Sequence, residues 1–242
     1  MTATSPNGCV RLDTVMISGL VDCVFPGDVN YDGMADLMDV LALGTALGVS
    51  GSPRANATTQ WYGQHAWNWL GSIGTGANYK QGDTDGDGGI LLNDTIAILS
   101  NFGSSHTKTG TITGGNGRLR ITPLNNPVPA GDIARFGVFY ESLSGGAVDS
   151  VHGLAMKISW NSPGIAGLKF VDYSNAWFAP GNDQMTFGKF SSNSAEIAIS
   201  RTIPTDTNGN GMVMILGFVT DSNLTGSNVT FNPSVNMVQA VG

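Results

Sequence analysis

Between Pro26 and Asp39 the chain reads PGDVNYDGMADLMD, with Asp28, Asn30, Asp32, Asp36 and Asp39 crowded around Gly33. Carboxylates at that density repel one another, and a hard cation is the partner that makes the crowding favourable. Counted from Asp28 as the first position of a calcium loop, Asn30 falls third, Asp32 fifth, Gly33 sixth, the Met34 carbonyl seventh, Asp36 ninth and Asp39 twelfth. That is the EF-hand ligand order, in which glycine makes the sharp turn. Asp occupies the twelfth position, where Glu is usual. A second stretch, QGDTDGDGGILLND, repeats the pattern with Asp83, Asp85, Asp87, Gly88 at the turn, the Gly89 carbonyl and Asp94. Leu91 sits at its ninth position and has no ligating atom, so a water would serve there. Two loops in register lead us to expect two calcium ions.

Each loop runs into an apolar stretch that would have to hold it. Leu37, Val40, Leu41 and Leu47 fall at helical spacing after the first loop, and Ile96, Leu99 and Phe102 after the second, with Gly103 as a stop. Such short helices are not stable alone, so calcium and mutual packing must sustain them. Between the loops lies an insert with Trp61, Tyr62, Trp67 and Trp69. A Gly/Ser/Thr-rich linker over 107–117 follows the second helix. From 118 onward the text changes to strands. ARFGVFY, HGLAMKISW, AEIAISR and GMVMILGFV, each bounded by turn residues, predict an antiparallel sandwich over 118–242. Ahead of the loops, CVRLDTVMIS in the 1–23 segment reads as one isolated strand. The expected fold class is therefore α+β multidomain: a small helical calcium module over 24–106, then a β-sandwich.

Composition narrows the function. Charged residues are only 12% of 242, and eight of the 16 Asp lie in the two loops, so the net charge of −7 largely reflects them. The 11 Lys and Arg are scattered, which leaves no basic patch for nucleic acid. No apolar run approaches the roughly 18 residues of a membrane span. No basic and apolar leader is visible at the start of the sequence. His65, His106 and His152 are far apart, and neither an H-E-x-x-H nor a G-x-S-x-G motif occurs, so no enzyme is expected. Calcium loops with few charges suggest an extracellular or cell-surface location. Cys9 and Cys23 are the only cysteines, and a disulfide between them would suit an oxidising compartment; two free thiols are the alternative.

The paired GDVNYDG…D and GDTDGDG…D segments, each followed by a short helix, resemble the duplicated calcium loops of dockerin type I modules. The match covers about 80 residues; its two loops start 55 residues apart because of the aromatic insert. With its DCVFPGD entry and RANATTQWYGQHAWNW insert, the arrangement is similar to surface proteins of Bacteroidota. The β domain, with VHGLAMKISW, is similar to cohesin-like sandwiches. The resemblance implies an extracellular structural or adhesive component.

Three further expectations bear on partners. Trp61, Tyr62, Trp67 and Trp69 could stack on sugar rings of a polysaccharide, or could simply fill the core of a small module. The tripeptides DTV and DSV would place O-linked sugars on Thr14 and Ser150. The lone N-terminal strand could fold back on its own sandwich, or complete a neighbour's, giving a homo-oligomer or head-to-tail filament.

Overall fold

The computed structural model describes residues 2–4, 10–12, 22–107, 117–142, 150–161, 164–221 and 229–238. The described fold is mostly antiparallel sheet with two short helices. A hairpin of β1 (Thr2–Thr4) and β2 (Val10–Leu12) opens the chain. The loop region carries α1 (Leu37–Ala46) and α2 (Thr95–Asn101). The strands that follow are β3 (Gly117–Pro123), β4 (Ile133–Ser142), the short β5 (Ser150–Val151), β6 (Gly153–Asn161) and β7 (Ile165–Asp172). The chain continues through β8 (Gln184–Phe190), β9 (Ser194–Arg201), β10 (Thr207–Asn208), β11 (Gly211–Thr220) and β12 (Thr230–Val238). Two four-stranded sheets, ordered β3-β4-β11-β7 and β12-β6-β9-β8, face each other as a sandwich.

Strand alternation accounts for the sandwich core. Leu154, Met156, Ile158 and Trp160 of β6 point inward and meet Val138 and Tyr140 of β4, Ile197 and Ile199 of β9, and Leu216 and Phe218 of β11. The opposite face of β6 and β9 would ordinarily be polar. Here it is Gly153, Ala155, Ala198 and Ser200, all buried, because α1 lies across it. Small residues let the helix approach closely. A Cβ added at Gly44 would stand 1.9 Å from Ser200 Oγ, and one at Gly153 would stand 2.9 Å from a methyl of Leu41. A second core therefore runs from the loop region into the sheet, joining Met38, Leu41, Ala42, Ile98 and Trp69 to Ala155, Met185, Phe187 and Ala198.

Several expectations change at this level. The N-terminal strand is not isolated: Val10–Leu12 pairs with Thr2–Thr4 in the register Thr2↔Leu12. Short Thr-containing stretches have β propensity but no alternation long enough to announce a strand. Helix α1 does not have one apolar stripe. It is buried almost all round, from Met38 to Gly44, as a helix packed on several sides must be. Helix α2 turns the other way from expectation. Ala97 and Ile98 are buried, whereas Ile96 and Leu99 are more than half exposed. Phe102 lies just beyond the helix and stacks on Phe187 of β8 at 5.4 Å. Among the described residues no helix is long and apolar enough to cross a membrane.

Candidate metal centre

The two loops fold by one hydrogen-bond scheme. The third-position N–H donates to the twelfth-position carboxylate, as Asn30 to Asp39 and Asp85 to Asp94. The ninth-position N–H donates to the other oxygen of that carboxylate, as Asp36 to Asp39 and Leu91 to Asp94. The fifth-position N–H reaches the third side chain, as Asp32 to Asn30 and Asp87 to Asp85. The sixth reaches the first, as Gly33 to Asp28 and Gly88 to Asp83. The seventh reaches the fifth, as Met34 to Asp32 and Gly89 to Asp87. Gly33 and Gly88 have φ of 102° and 96°, which explains why both sixth positions are glycine. Short Asp and Asn side chains are the residues that can bond backbone this locally.

Each loop is also pinned by the segment that follows the other loop's helix. Met34 bridges Ser105, and Gly89 bridges Ser50. The neighbouring residues make the bonds, through His106 N to Gly33 O and Ala35 N to Ser104 O on one side. On the other side Gly51 N donates to Gly88 O, and Ile90 N to Val49 O. The Met34 and Gly89 carbonyls thus stand outside these bonds. The same exchange reaches the first-position carboxylates. His106 Nε2 lies 2.7 Å from Asp28 Oδ2, its ring stacked on Phe25 at 3.7 Å. Arg54, buried, donates to the Asp83 and Thr84 carbonyls and lies 4.0 Å from Asp83 Oδ2. Sequence reasoning missed both residues. They are far from their loops along the chain, and a lone His or Arg carries no spacing signal.

The second loop brings Asp83, Asp85 and Asp87 together, with one oxygen of each within 4.8 Å of the others. Among the described residues no other three His, Cys, Asp or Glu side chains meet so closely. The donor set is all hard oxygen, which suits Ca²⁺ and excludes a thiolate- or imidazole-seeking metal. Burial pushes the carboxyls of Asp83 and Asp94 up to about 6, against the pull of Arg54 on Asp83 and of the Leu91 N–H on Asp94. Carboxylates raised despite those neighbours are incompletely compensated, and a divalent cation would complete the compensation. In the first loop, burial likewise raises Asp28 and raises Asp39 strongly. Asp36 is half-buried and caps α1, accepting from Met38 N at 2.7 Å. The residues present fit a calcium ion, most completely in the second loop.

The remaining candidates scatter. Trp69 is buried in the core and donates its indole N–H to Ser52 O, so it offers no face to a sugar. Trp61 packs beside Phe25 and His106. Tyr62 and Trp67 are exposed, Trp67 by 70%. Cys23 is half-buried with no disulfide partner among the described residues; Cys9 and Thr14 lie outside those residues. Ser150 Oγ, half-buried, donates to Asp206 Oδ2 at 2.6 Å. His152 Nδ1, on the same turn of chain, lies 3.3 Å from Asp206 Oδ1.

No family model matches this chain, and no curated protein matches it. Among solved structures, a complex of a CaDoc0917 variant with CaCohA2, crystallised at pH 5.5, is similar at 13% identity and a TM-score of 0.36. The alignment covers 48% of this chain and 82% of that one.

Proposed function

We propose that the chain is a non-catalytic, calcium-stabilised structural subunit that works outside the cell. Residues 24–106 act in it as a dockerin-like module that binds two Ca²⁺. The observation that carries this reading is the shared hydrogen-bond scheme of the two loops, each closed around buried first- and twelfth-position carboxylates. Calcium here fastens the fold. Sensor proteins open a helix pair to expose a groove, whereas α1 is buried between the loops and the sheet. Binding the folded chain alone, the ion stabilises it by roughly 2.7 kcal/mol at a free concentration 100-fold above Kd. The module, locked to the sandwich by a common core, is a rigid spacer, and strand addition through the N-terminal segment joins successive copies head to tail. Thermal melts with calcium and with chelator test the first part, and negative-stain imaging tests the second. Unchanged melting in chelator would sink the calcium reading, and monodisperse particles at high concentration would sink assembly.

A second reading has one observation in its favour. Trp67 is widely exposed, with His65 set edge-on to its ring at 5.0 Å, and aromatic faces of this kind bind pyranose rings. A carbohydrate-binding adhesin would lose glycan-array binding on Trp67→Ala.

A further inference from the structure

The sandwich is open along one side. Strand β8 buries Met185 and Phe187, but these face the loop module. Its sandwich-facing residues, Thr186, Gly188 and Phe190, stay half-buried or exposed, Phe190 by 51%. Across from them Leu168 and Val171 of β7, with Tyr173 just beyond it, are only half-buried. Between the two strands runs a groove of about 790 Å³. On the opposite side of the sandwich β3 and β12 approach each other.

The two edges of the groove differ. Strand β7 pairs with β11 through two register shifts, and such bulges spoil an edge for further pairing. Strand β8 pairs with β9 over seven consecutive residues without a shift. Its other edge carries no strand among the described residues. A regular edge beside an apolar groove is an acceptor for an extended segment. Main-chain bonds give affinity and alternate side chains fill the groove.

We propose that this acceptor takes residues 14–20, TVMISGL, of a second copy of the chain. The inference rests on the strand-addition reading above and supplies its missing half, the receiving site. Seven extended residues span about 23 Å, matching the seven of β8. Alternation sets Val15 and Ile17 on one face, toward Leu168, Val171 and Phe190, and leaves Thr14, Met16 and Ser18 on the other. Asp13 immediately precedes the segment, and Lys169 lines the groove. The contact joins two different surfaces, so repetition propagates as an open chain unless it closes into a ring.

Full-length protein, half of it labelled with ¹⁵N, is coupled with a zero-length carboxyl-to-amine reagent and read by mass spectrometry. The expected result is Asp13 joined to Lys169 in peptides of mixed isotope. In parallel, Phe190→Arg should abolish polymers on negative stain without lowering Tm, since the ring is half exposed; Thr186→Arg, at an exposed position lining the same groove, is the second variant. Same-isotope pairs alone would mean that the segment folds onto its own chain, and would overturn the inference. Polymers that persist in both variants, with mixed pairs that avoid Lys169, would overturn this acceptor while leaving strand addition standing. Absence of any polymer and of any Asp13 cross-link would remove strand addition itself.

Discussion

At the scale of single residues, the carboxylates at the fifth position have the least other work. Asp87 is exposed and its carboxylate accepts from Gly89 N, whereas Asp94 also orders the loop through several backbone N–H groups. Asp87→Ala should therefore remove about one equivalent of calcium while leaving the chelated protein's stability almost unchanged. Calcium counted by elemental analysis, beside paired melts, checks both halves. Asp94→Ala should weaken the chain even in chelator, because buried N–H groups lose their acceptor at about 1–3 kcal/mol each. His152 sets a pH dependence of its own. Burial holds its imidazole below the ordinary 6.5, against the opposing pull of the Gly44 backbone and Asp206 and alongside the repulsion of Arg201. The unfolded chain then binds the proton more readily than the folded one. The contribution is complete above about pH 6.5 and is lost as pH falls through the lower folded value. Urea titrations between pH 5 and 8 at saturating calcium should show it, and His152→Asn should flatten the difference over that window.

At the scale of elements, the contact of α1 with β9 decides how the module sits. Gly44→Ala places a methyl against Ser200, where there is no room, and overpacking of this kind costs about 1–3 kcal/mol. Ser200→Gly in the same chain should recover much of that loss. A double-mutant cycle in denaturant measures the coupling, and simple additivity would contradict the close approach. The turn at Thr207–Gly211 belongs to this scale too. TDTNGNGM has the look of a third calcium loop or a hairpin turn, but β10 pairs with β5 and not with β11. Asp206 is used to accept from Ser150.

At the scale of the whole molecule, a shared core between loop region and sheet predicts one cooperative unfolding transition. Calorimetry should show a single peak that chelation shifts downward; two separated peaks would mean that the parts unfold independently. Much of this molecule is written locally. The loop positions of Asp28 to Asp39 and Asp83 to Asp94, the turn glycines and the inward alternation of β6, β9 and β11 are legible because ligand spacing and strand period are short-range properties. That α2 exposes Ile96 and Leu99 while burying Ile98 was decided by what lay nearby in three dimensions. Gly153, Ala155, Ala198 and Ser200 read as ordinary sheet surface until α1 covers them. Arg54 and His106 reach first-position carboxylates 29 and 78 residues away, and no pattern along the chain carries that distance. The sequence by itself set Asp83, Asp85 and Asp87 at the spacing that lets them meet as a cation site. Only the tertiary structure decided what closes around them, because packing joins residues whose separation along the chain has no period to read.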